Sequence, residues 1–138
     1  MQRNRLNKLT LNDKVKYWTE LSDYDYDTAV AMMKTGRYLY VGFMCHQTIE
    51  KILKAYFNAY NEEPAPYTHS LTHLAKKANI YDSMPEVLKD FIDILEPLNI
   101  EARYPSHKER LMKSLTKERC QSILENTKTL KTWITEKL

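Results

Sequence analysis

Apolar residues return every three to four positions over most of the chain, the period of an α-helix that buries one face. Val15, Trp18, Leu21, Thr28, Ala29 and Met32 mark a first helix over about 12–34. Thr10, Asn12 and Asp13 before and at its start offer acceptors for its free N–H groups. Gly36 supplies a stop, because it adopts the left-handed conformation cheaply. A second helix over about 37–60 is apolar around most of its circumference. Val41, Met44, Cys45, Thr48, Ile52, Ala55 and Tyr56 form one stripe, and Ile49, Leu53, Phe57 and Tyr60 widen it. A helix with so little polar surface belongs at the centre of a bundle. That leaves more apolar arc than one small bundle covers, which predicts a dimer.

After it, "NEEPAPYTHS" has two prolines and no period, and reads as a loop. A short third helix spans about 70–78 and ends at Asn79. Ser83 is expected to cap a fourth helix, with Pro85 in its first turn and Val87, Leu88, Phe91, Ile92 and Leu95 on its apolar face. Pro97 is placed to kink that helix, and Pro105 disfavours helix at Tyr104, so an end near Arg103 is expected. Residues 105–114 read as a polar connection. A fifth helix begins near Thr116 and carries Cys120, Ile123, Leu124, Leu130, Trp133 and Ile134. No strand alternation or internal repeat is present. The expected architecture is all-α: one domain over 1–138, an up-and-down bundle of four to five helices, with 1–11 as an N-terminal arm.

Composition agrees. A chain of 138 residues can bury a core without staples, and only 2 glycines and 5 prolines interrupt its helix formers. Cys45 and Cys120 sit within apolar helical patterns and form no CxxC pair, as expected of reduced core thiols in a cytoplasmic protein. The opening "MQRNRLNKLT" lacks the apolar stretch of a secretory leader, and no apolar run reaches membrane-spanning length. No membrane association is expected.

Charge changes the picture more. The net charge of +3 divides into +4 over residues 1–16, −6 over 17–102, +4 over 103–119 and +1 over 120–138. The segment after Ala102 is a cationic patch on an acidic body, suited to a polyanion or an acidic partner.

Two placements of ionisable groups stand out. His46, Gln47, Glu50, Lys51 and Lys54 fall within one arc of the second helix, with Glu50 and Lys54 spaced for an i,i+4 pair. The strip is either the wet side of that helix or a polar seam. Asp25 lies on the apolar stripe of the first helix, where a carboxylate is costly unless paired. Lys51 and Arg103 are the candidate partners, and together the three form an expected buried polar network.

These residues carry a family resemblance. "WTELSDYDYDTA", then "GRY", "CHQTIEKILKAY", a Pro-containing loop, "THSL" and "EARYP" follow one another in the order and spacing of the HEPN family. The chain resembles that family over nearly its whole length. On this resemblance Trp18, Asp25, residues 36–38, Gln47, Glu50, Lys51, Lys54, His69, Arg103, Tyr104 and Pro105 fall on motif positions. The resemblance implies a bundle of four to five helices that dimerises and that pairs with a minimal nucleotidyltransferase, typically as toxin and antitoxin. It also implies the metal-independent ribonuclease activity of many members, which resemble one another in an Arg followed, after four to six residues, by a His. Such chemistry is physically sensible: histidine moves protons near neutral pH and arginine braces phosphate charge. Here Arg103 and His107 are separated by only three residues, one of them Pro105.

Other chemistry is thinly represented. His69 and His73 are four apart but lack the glutamate of a zinc-protease motif and a third ligand, so His69 reads as a capping or loop-anchoring residue. There is no Gly-rich phosphate cradle, and neither metal nor cofactor is expected. The ten tyrosines suit packing and rim positions, or base stacking. The sequence therefore supports a HEPN-type homodimeric module that binds RNA or nucleotide, or docks on a nucleotidyltransferase, through Lys51, Lys54, Arg103, Tyr104, Lys108 and Arg110. The alternatives are a metal-independent ribonuclease using Arg103 and His107 at a dimer cleft, and a structural protein-interaction adaptor.

Overall fold

The computed structural model describes residues 10–101 and 104–138. Helix α1 (Leu11–Lys34) starts where the sequence provides a reciprocal cap. The Thr10 side chain accepts from the Asp13 N–H, and the Asp13 carboxylate accepts from the Thr10 N–H. It ends at Gly36, whose φ of +73° lets the chain reverse, and the Arg37 N–H closes onto the Met32 carbonyl at 2.8 Å.

Helix α2 (Tyr38–Tyr60) returns antiparallel to α1 and packs against every other helix described. Its fully buried Val41, Cys45, Ile49, Ile52, Leu53 and Ala55 form the axis of the core. Burying side chains of this size contributes about 1.5–3 kcal/mol each for the larger ones, which outweighs the entropy of fixing them. The apolar excess of α2 is thus covered within the chain, so α2 leaves no large patch for a second copy. On α2 the exposed rings are confined to its two ends, at Tyr40 and Tyr60, and others lie at Tyr17 and Tyr24 of α1.

Residues 61–70 form the expected loop, and Ser70 caps α3 (Leu71–Lys77) by accepting from the His73 N–H. Asn79, at φ +61°, ends that helix. Ser83 does not cap the next helix. It closes a 3-10 turn (Tyr81–Ser83) by donating to the Ile80 carbonyl, and α4 (Glu86–Glu101) begins after Pro85. Pro97 lies inside α4, which continues through it to Glu101. Gly42 of α2 lets α4 come close: a Cβ there would meet Leu98 Cδ1 at 3.0 Å.

Residues 105–114, expected as a polar connection, are a helix, α5 (Pro105–Ser114). Pro105 occupies the first turn, where its missing N–H costs nothing, and Leu111 with the following Leu115 anchors the segment to the core. Its Lys, Glu and Arg residues are good helix formers despite their polarity. Thr116 then caps α6 (Lys117–Thr135). The described residues make six α-helices where four to five were expected, and contain no strand. No described helix is long and apolar enough to cross a membrane. Cys45 and Cys120 are free and buried, and burial pushes their thiols up to about 12 and about 11.

Candidate functional site

The ionisable strip on α2 faces inward. His46 is 0%, Glu50 2% and Lys54 8% exposed, so the wet-side reading does not hold. Two polar chains run from it.

The first chain ties three helices. Lys51 Nζ donates to Asp25 Oδ2 of α1 at 2.7 Å and to Gln47 Oε1 at 3.2 Å. Gln47 Nε2 donates to Asn99 Oδ1 of α4 at 2.9 Å, and Asn99 is itself buried. Asp25 is only 8% exposed, and the lysine ammonium supplies the charge a buried carboxylate requires. The structure brings Asp25 and Lys51 together, while Arg103, the other expected partner, lies outside the described residues.

The second chain ties α2 to the loop before α3. Glu50 accepts from His69 Nδ1 at 2.8 Å and from Lys54 Nζ at 3.2 Å. Burial pushes the Glu50 carboxyl up, but the His69 hydrogen bond and the charge and hydrogen bond of Lys54 outweigh it, leaving Glu50 below the usual carboxylate range. Lys54 Nζ also stands 5.1 Å from the centre of the Trp18 ring. Trp18 Nε1 donates to Asn58, and the Asn58 amide donates to the carbonyls of Asn61 and Glu63, which fixes the start of the loop. His69 thus anchors the loop at its far end and Asn58 at its near end.

Between the chains sits His46, with neither ring nitrogen hydrogen-bonded. The His69 backbone lies near it without hydrogen-bond geometry. Burial lowers its pKa to about 4, against the opposing pull of Glu50, so the ring is neutral at pH 7.

Lys51 and Lys54, expected among the RNA contacts, therefore spend their charge inside the protein. The remaining expected contacts lie on α5 and at its start. Tyr104 is exposed at the helix cap, and Lys108 and Arg110 are exposed on the helix. Lys113, Lys117 and Arg119 extend the exposed cationic run. His107 falls in the first turn of α5, but its side chain, like Arg103, lies outside what is described, so the structure does not place the two groups relative to each other. Among the described residues no group of three or more His, Cys, Asp or Glu is arranged to hold a metal ion.

The HEPN domain family matches residues 15–138. The chain belongs to the HEPN family. Among solved structures it is similar to TT1696 from Thermus thermophilus, at 21% identity and a TM-score of 0.78, over 91% of this chain and 98% of that one. That likeness establishes a shared HEPN-like helical fold. No curated protein matches the chain. Within this HEPN domain, Asn99 and Asn58 are polar-network members that sequence reasoning missed. A lone Asn in a helix carries no periodic signal, and only the tertiary contact gives it a role.

Proposed function

We propose that this HEPN protein is a cytoplasmic, homodimeric RNA- or nucleotide-binding module whose contact surface is the cationic run on α5 and the start of α6. The observation that carries the reading is charge placement. Lys108, Arg110, Lys113, Lys117 and Arg119 are all exposed, on a chain whose residues 17–102 carry −6. Such a surface attracts a polyanion by releasing its counterions. Tyr104 adds an exposed ring on which a base can stack. Membership of a family that pairs with minimal nucleotidyltransferases supports a protein partner of that kind, in a toxin–antitoxin pair, engaging the same surface.

The second reading is a metal-independent ribonuclease. It draws on one feature: α5 starts at Pro105, which puts His107 in the first turn of a helix beside the cationic run. In this reading Arg103 braces a phosphate and His107 moves a proton at the ribose 2′-hydroxyl.

One experiment separates them. Mixed-sequence single-stranded RNA is incubated without metal with wild type, Arg103→Ala, His107→Ala and the double variant Lys108→Glu/Arg110→Glu. Retention without cleavage, lost in the double variant, supports the binding module. Cleavage abolished by both single changes, with folding intact, replaces it with the ribonuclease. Neither retention nor cleavage leaves a protein partner as the user of this surface.

A further inference from the structure

The turn between α1 and α2 and the adjoining side of α5 border a half-open cavity of about 320 Å³. Arg37, Tyr38 and Tyr40 line it from one element, and Lys108 and Met112 from the other. Arg37 and Lys108 are exposed, and neither side chain has an ion-pair or hydrogen-bond partner among the described residues. The first turn of α2 contains no acidic side chain to neutralise them. Two like charges brought to one cavity from separate helices repel, and the arrangement is relieved when an anion sits between them.

We infer that this cavity binds a phosphate monoester carried beside an aromatic base. That is the chemistry of a phosphorylated RNA end and of a free nucleoside monophosphate. The charge count favours a monoester: it carries close to two negative charges near neutral pH, which two cations match, whereas an internal phosphodiester carries one. Arg37 supplies a planar fork that can engage two phosphate oxygens, and Lys108 supplies a point charge. Tyr40, 45% exposed, gives a ring for stacking, and Met112 gives an apolar wall. Gly36 makes the presentation of Arg37 possible. Its φ of +73° sets the turn, and no atom lies within 4 Å of where its Cβ would be, so the glycine serves the backbone conformation and not close packing.

The inference deepens the RNA-binding reading and rests on it where the monoester is the end of a strand. The test uses the full chain and four probes: one short single-stranded RNA with either a 5′-phosphate or a 5′-hydroxyl, followed by fluorescence anisotropy from a label at the other end, and AMP and adenosine, followed by calorimetry. Wild type is expected to prefer the phosphorylated strand by about tenfold, and AMP over adenosine by at least as much. Arg37→Ala, an exposed position whose folding is checked by circular dichroism, is expected to erase both preferences. Lys128→Ala, an exposed position on α6 outside both the cavity lining and the cationic run, is expected to leave them in place. Binding of both strands with equal affinity overturns the cavity assignment and leaves the RNA reading standing. AMP binding that depends on Arg37, without RNA binding, keeps the cavity as a mononucleotide site and removes the RNA reading. Preferences that survive Arg37→Ala, or no binding of any probe, overturn the assignment.

Discussion

Lys51 Nζ lies 2.7 Å from Asp25 Oδ2 across the contact between α1 and α2, with both side chains largely enclosed. The pair sets the two longest helices in register, and through Gln47 it reaches Asn99 on α4, shortly before the segment that carries Arg103. A structural network thus leads from the centre of the bundle toward the region proposed to meet RNA.

Asp25→Leu leaves the Lys51 ammonium without its carboxylate in a mostly enclosed position. The expected loss is about 3 kcal/mol in a urea melt. Adding Lys51→Met should recover part of that loss, because the stranded charge is gone. A neutral single variant would show that the pair is dispensable.

Acid should weaken the fold in two stages. His46 has a folded pKa of about 4, below its ordinary 6.5, so between these values the unfolded chain binds the proton and the folded chain does not. Its contribution is fully present above pH 6.5 and is lost as pH falls toward 4, at most ~3 kcal/mol. Glu50, also lowered, adds a further loss below its ordinary 4.5 as pH falls through its folded value. Urea melts from pH 7.5 to 2.5 check this. His46→Leu should flatten the upper part of the profile and leave the lower part in place.

Gly42→Ala probes the approach of α4 to α2. The new methyl meets Leu98 Cδ1 at 3.0 Å, so Leu98 must shift or α4 must move away. A loss of about 1 kcal/mol is expected, despite the better helix propensity of alanine. A stabilised variant would show that Leu98 yields freely.

Light scattering tests the dimer, with about twice the chain mass expected at micromolar concentration. With α2 covered inside the chain except at Tyr40 and Tyr60 near its ends, most of the contact surface has to come from elsewhere, and the exposed Tyr17 and Tyr24 on α1 are the first positions to substitute. A monomer at high micromolar concentration removes the homodimer.

Most helices were legible because their signals are local. Thr10, Ser70 and Thr116 cap where short polar side chains precede an apolar period, and Gly36 stops α1 by its backbone freedom. Helix α5 was not legible. Among its described side chains only Leu111 is buried, and most of its ten residues are charged or polar, too few apolar positions to show a period. Ser83 was misread because a serine shortly before proline has the chemistry of a cap, and only the 3-10 turn uses its hydroxyl differently. In the polar interior, Asp25 announced itself, since a carboxylate on an apolar stripe demands a cation. Which side of α2 held its partner was less evident. A helix buried almost all round gives no wet face to read against, so Lys54 and Glu50 looked equally suited to solvent.

The central claim is that the exposed cations after residue 103 meet a nucleic acid. It is tested most directly by the affinity of wild type for single-stranded RNA as a function of salt. Measurable binding at low salt is predicted, with log K falling linearly against log salt at a slope of about −0.7 for each phosphate neutralised. Lys108→Glu and Arg110→Glu should each weaken binding and make the slope shallower. No binding at low salt, or binding that ignores both salt and these substitutions, would contradict it.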